Sequence, residues 1–172
     1  MNFVRQHPLL SVYLQIMLLR QRPDVLPASW FLFAFMLVLN LIIGIVSFLL
    51  DFNMLQSLLR TVTDMAISLG FIYLLLLAFN KSGRSLQTMT AMLGVSAILN
   101  IVSLPLLFMM PEPRESTGAM GILLYVLFMW HLVIMGHIFQ HAVSVKLPTG
   151  LLIAFAYVLI AMSVFYSLFP IQ

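Results

Sequence analysis

The chain has 172 residues, of which 63% are hydrophobic and 8% charged, with a mean hydropathy of +1.12, far more apolar than a soluble domain. Five spanning helices of about 20 residues would take roughly 100 positions and leave about 70 for tails and connections, so no separate soluble domain of ordinary size fits. Eight basic and five acidic residues cannot build an extended nucleic-acid surface, and a net charge of +3 points instead to anionic lipid headgroups.

In chain order, the apolar run from Leu9 to Leu19 is too short to span and stops at Arg20 and Arg22 without a small-residue cleavage site, so it does not read as a signal peptide. Ser11, Gln15 and Arg22 share a narrow polar face, which predicts an interfacial amphipathic helix beginning after Pro8. Pro23 and Pro27 bracket Asp24, Val25 and Leu26, a stiff hinge that would let this helix orient independently of the bundle. Residues 1–28 are therefore expected to form a cytoplasmic N-terminal segment, and residues 29–172 a single transmembrane domain.

Ser29 is a plausible N-cap for the first span, which extends to Leu50. Phe52, Leu55, Leu59 and Val62 recur at helical spacing among Asn53, Gln56 and Arg60, which predicts a second surface helix. Thr61 and Asp64 have the spacing of a capping box, so the second span is expected to start there and run to Phe79 or Asn80. Lys81, Ser82, Gly83, Arg84 and Ser85 form a basic turn, followed by a third span over 86–110 with Pro105 near its far end. The polar loop Pro111 to Thr117 leads to a fourth span over 119–142, and Pro148 opens a fifth over 149–169. The expectation is all-α: a polytopic helical bundle of five transmembrane helices with an N-terminal interfacial helix.

Basic residues favour the cytoplasmic side. Arg5, Arg20, Arg22, Lys81, Arg84 and Lys146 fall on one side of this topology, and only Arg60 and Arg114 on the other. The N-terminus is thus expected in the cytoplasm and the C-terminus outside.

The absence of cysteine excludes disulfides, thiolate metal sites, iron-sulfur clusters and cysteine nucleophiles. His137 and His141, four residues apart in the fourth span, share a helical face and are weak metal candidates. A metal site needs three or four ligands, and only His7 lies on the same side; His131 sits deeper. No cofactor or metal is expected, and an interfacial role is the simpler reading. Asp64 is the only acid close to a span, where an unpaired charge costs at least ~2.5 to 3.5 kcal/mol. Its place in the capping box, within reach of Arg60, offers a cheaper explanation than proton or ion coupling. Ser96, Asn100 and Ser103 form a polar stripe at i, i+4 and i+7, which Asn40 of the first span is positioned to meet. Helix-helix adhesion is the plain reading of this set, and a hydrophilic pathway the sharper one. Gly150 and Ala154 make a small-xxx-small pair that permits close helix approach. No zinc-protease motif, phosphate-binding glycine loop or serine elbow is found, and an enzyme is not expected.

The basic-glycine-serine turn Lys81 to Leu86, followed by Ser96 and Pro105, resembles the turn before the third span of the Yip (Ypt-interacting protein) family of five-span membrane proteins. The stretch from Leu127 through Trp130, Gly136 and His141 to Lys146 is similar to its tryptophan-containing fourth span and basic turn. The resemblance covers Ser29 to Phe169, but the acidic-tyrosine-glycine-proline motif of eukaryotic members is missing from the N-terminal segment. It therefore implies a bacterial inner-membrane member rather than a binder of small GTPases. The function expected from it is a non-enzymatic membrane adaptor, scaffold or organiser that contacts a membrane protein partner or a second copy of itself. The alternative is a small transporter or channel-like component that moves a solute or ion along a polar path between helices.

The topology has a direct test, because single cysteines can be introduced without background. Ser82→Cys and Ser144→Cys should react only with reagents that reach the cytoplasm, and Ser116→Cys only from outside. Labelling of positions 82 and 116 from the same side would overturn the arrangement.

Overall fold

A computed structural model describes residues 8–109 and 118–170. Among these residues are six α-helices: α1 (Pro8–Met17), α2 (Trp30–Phe48), α3 (Met54–Ala78), α4 (Ser85–Phe108), α5 (Ala119–Val143) and α6 (Leu147–Leu168). The five helices from α2 onward are each long and apolar enough to cross a membrane. Their outer faces carry Phe31 at 82%, Trp30 at 73% and Leu152 at 69% exposure, a surface that water would not tolerate and hydrocarbon does. The protein is an integral membrane protein, an all-α bundle. The expected contributions of Arg5 and His7, and of the loop with Glu112, Arg114, Glu115 and Ser116, lie outside the described residues.

The bundle closes through contacts of α5 with α6, α2 with α4, α2 with α3, and α4 with α5. The α5–α6 pair uses the small-residue pair read from the sequence: Gly150 and Ala154 are buried, and a Cβ at Gly150 would collide with the Gly136 carbonyl. Backbones approach this closely only where side chains are absent, which is how small residues drive association in lipid. Ser144 in the left-handed region ends α5, and Pro148 stands in the first turn of α6, where its missing N–H has no partner to lose. Ser29 caps α2, accepting a hydrogen bond from the Leu32 N–H at 3.3 Å.

Two expectations are corrected. There is no separate surface helix over 51–63 and no capping box at Thr61 and Asp64. Asn53 is the N-cap, its side chain accepting from the Gln56 N–H at 2.9 Å, and α3 runs unbroken from Met54. Thr61 is buried, donates its hydroxyl back to the Ser57 carbonyl at 2.8 Å, and packs against Gly44 of α2. An amide oxygen caps as well as a hydroxyl, so the helix starts at the earlier site and gains additional backbone hydrogen bonds.

The N-terminal helix forms where expected, with Leu9, Leu10, Leu14 and Leu18 exposed, but it does not swing on a free hinge. Tyr13, Ile16 and Met17 are buried in the core. The Tyr13 ring fills the space left by Gly94 of α4, and its hydroxyl donates to the Thr90 carbonyl at 3.3 Å. Burial pushes the Tyr13 phenol up to about 12, so it remains a donor. The C-terminal carbonyls of a short helix lack intrahelical partners; here the Trp130 indole N–H donates to the Met17 carbonyl at 3.2 Å. Pro23–Val25 is a 3₁₀ turn, buried Leu26 comes directly after it, and the Gln87 amide donates to the Leu26 carbonyl at 3.0 Å.

Gly94→Leu should therefore expel Tyr13 and loosen α1 without unfolding the five long helices. Tryptic cleavage after Arg20 in nanodisc-embedded protein should accelerate several-fold, with little change in helicity by circular dichroism.

Candidate functional site: a polar cavity within the bundle

The unbroken α3 moves Asp64 from a helix end to the middle of a helix. Asn40 in α2, Ser96 in α4, His131 in α5 and Tyr157 in α6 also lie near the middles of their helices. All five line one cavity of about 230 Å³, together with Ser68, Asn100, Phe128 and several methionines. A second cavity of about 160 Å³ is lined by Asn100, Ser103, Phe128 and His131 among others. The two share Asn100, Phe128 and His131 as lining, so the second cavity lies beside the first, on the side of Ser103.

The predicted polar residues divide into two kinds. Asn40 is a packing element: its Nδ2 donates to the Met36 carbonyl at 3.0 Å and to the Leu93 carbonyl of α4. Both amide protons are thereby engaged with backbone, and the side-chain oxygen is left as an acceptor at the cavity wall. Ser96 pairs across helices, its Oγ 3.4 Å from His131 Nε2. Among the described residues Ser103 bonds its own helix, donating to the Asn100 carbonyl at 2.9 Å. Adhesion therefore accounts for Asn40, while Asn100 and Ser103 border open space.

Asp64 is not neutralised by Arg60. The Arg60 guanidinium lies 3.8 Å from the Phe52 ring centroid, 4.7 Å from that of Phe169 and 5.7 Å from that of Phe165. This is a three-ring contact at the end of the bundle, and among the described residues the Arg60 Nε has no hydrogen-bond partner. Among the described residues Asp64 forms no ion pair.

The histidines of α5 do not converge on a metal. His137 Nε2 lies 3.0 Å from the Gln21 carbonyl, and the rings of His137 and His141 meet edge to face at 4.6 Å. Arg84 donates to the His141 carbonyl at 3.1 Å. Among the described residues no three of His, Cys, Asp and Glu are grouped for a metal ion. These contacts instead fix the segment after α1 against α4 and α5.

Sequence reading singled out Asp64, Asn40 and the stripe but did not join them to His131, Ser68 and Tyr157, because that depends on how five helices are rotated. One signal was available: Asn53 and Gln56 have the same cap spacing as Thr61 and Asp64, and choosing it places the carboxylate at mid-helix. No family model matches the chain, no curated protein aligns with it and no solved structure matches it.

Asn40→Leu should cost roughly 0.6 to 1.7 kcal/mol of bundle stability, the range for hydrogen bonds between membrane helices. Asn100→Leu should cost less, since its side chain bonds no other described residue. Reversible unfolding in mixed micelles measures both.

Proposed function

We propose that the protein is a small membrane carrier that binds a polar solute or ion in the cavity between its helices. One observation carries this reading: an acid, a histidine, two amides and three hydroxyls from all five long helices surround one cavity halfway along them. Intramembrane ionisable residues face bundle interiors and mark solute or ion pathways, and transporter sites lie near the bilayer midplane. Support for the adaptor reading that accompanies the Yip resemblance comes from the N-terminal segment. Its helix is packed into the core, which leaves the exposed leucines of α1 as its contact face. With the basic turns in the cytoplasm, the second cavity would lie on the outer side of the binding site.

The carrier reading is tested in proteoliposomes diluted into iso-osmotic methylammonium chloride, choline chloride, urea, glycerol or sodium acetate. At least one solute should enter faster than into empty vesicles, with saturation, and Asp64→Leu should abolish the difference. If none of the five enters faster and Ser96→Cys is inert to neutral methyl methanethiosulfonate, the cavity is not a solute site.

A further inference from the structure

The charge, size and wall chemistry of the cavity restrict what it can hold. Counting histidine as neutral, Asp64 is the only lining residue with a formal charge among the described residues, and no described lysine or arginine lines the cavity. Asn40 has both amide protons engaged with backbone carbonyls, so it offers only an oxygen. Ser96 already pairs with His131. A carboxylate with no basic side chain beside it in this lining favours a cationic occupant, because in a low dielectric an unpaired charge is stabilised chiefly by an opposite one.

Size separates the kinds of cation. About 230 Å³ is several times the ~30 Å³ share of one water and below the ~300 Å³ at which drug-sized sites begin. A bare metal ion would leave most of it empty. Hard ions also want six or more oxygen ligands or retained waters, whereas much of this wall is thioether and aromatic: Met65, Met92, Met135, Met162, Phe128 and Tyr157. Methionines adapt to irregular apolar shapes, and aromatic faces attract alkylammonium groups, the usual mode for quaternary ammonium ligands.

We infer that the cavity is a binding site for a small organic monocation, an alkyl- or quaternary ammonium whose charge pairs with Asp64 and whose carbon substituents lie against the methionines, Phe128 and Tyr157. This rests on the carrier reading and assigns its substrate class. Arg60, one turn before Asp64 in α3, is held away by its three phenylalanine rings, which leaves the carboxylate available for the ligand.

The experiment uses the full chain in proteoliposomes, with a single cysteine as Ser96→Cys or, as an independent position on α6, Ala161→Cys. Each is reacted with three methanethiosulfonates: the trimethylammonium-ethyl cation, the sulfonatoethyl anion of similar length and the smaller neutral methyl reagent. Relative to the rates of the same reagents with a free thiol in solution, the cation should react at least tenfold faster than the anion, and this normalised preference should shrink to threefold or less with Asp64→Asn. In the Asp64 wild-type background, tetramethylammonium should slow the neutral reagent at least fivefold, while tert-butanol, similar in shape and uncharged, should not. Equal normalised cation and anion rates, or equal protection by tert-butanol, would overturn the cation assignment while leaving an accessible cavity and the carrier reading intact. Protection by sodium or potassium chloride alone at the same concentration would also overturn it, in favour of an inorganic ion. Lack of reaction with all three reagents at both positions would remove the carrier reading itself.

Discussion

A carboxylate in the middle of a membrane bundle persists only where the surrounding helices leave polar space for it, and that requirement organises this protein. Hydrocarbon offers Asp64 no hydrogen bonds, and an unpaired charge there costs at least ~2.5 to 3.5 kcal/mol. The bundle meets the cost by drawing a polar group from every other long helix to the same depth: Asn40, Ser96, His131 and Tyr157. None of the four neutralises the carboxylate. What they provide is a cavity in which solvent or a ligand can solvate it. The constraint traces back to a loop residue. Because Asn53 caps α3, the helix is long enough to carry position 64 past its first turns and into the interior.

The close packing that frames the cavity depends on side chains being absent. Gly150 lets α6 lie against the carbonyl of Gly136, and Gly44 accepts the methyl of Thr61. Gly94 has a different neighbour, the Tyr13 ring of α1. With the Trp130 and Gln87 side chains holding carbonyls on either side of the 3₁₀ turn, α1 becomes a brace across α4 and α5. Ser96 and His131 belong to those same two helices, so the brace bears on the relative position of two cavity-lining residues. Between α1, α2 and α4 runs an apolar groove of about 410 Å³. Its lining of leucine, phenylalanine and methionine suits contact with lipid tails, and it contributes no polar group to the interior.

Five spans, their order and several ends were legible in the sequence because hydrophobic length and caps are local properties. The run from Ser29, the basic turn at 81–85, Pro148 and the Gly150–Ala154 pair each stand where a local rule places them. The segment from Asp51 to Arg60 misled because its polar residues resemble those of a surface helix, although they form the first turns of a longer one. A hydroxyl with an acid three residues later occurs within helices as readily as at their starts, and Thr61 in fact bonds backward to Ser57. The docking of α1 was hidden for a different reason. Its apolar face is equally suited to lipid or protein, and only the fit of Tyr13 to Gly94 selects protein. The pairing of Ser96 with His131 depends on helix rotation, which one sequence without its partners' faces does not encode locally.

Arg60 completes the charge accounting. Placed one turn from Asp64, it would in a different rotamer sit close enough to pair with it, and a paired cavity would carry no net charge. The aromatic contact prevents this: Phe52 before α3 and Phe165 and Phe169 at the end of α6 hold the guanidinium at the bundle's edge. Phe165 in turn stacks on Phe48 of α2, with centroids 6.1 Å apart and planes inclined by 15°, so the ends of α2, α3 and α6 are joined through one set of rings. Cation–π contacts of this kind contribute about 0.5 to 2 kcal/mol or more each when desolvated, comparable to the value of an ion pair at a wet interface. Separation of the two charges is thus energetically even for Arg60, while it leaves the negative charge of Asp64 inside and the positive charge at the rim. That polarity is what the proposed ammonium site draws on.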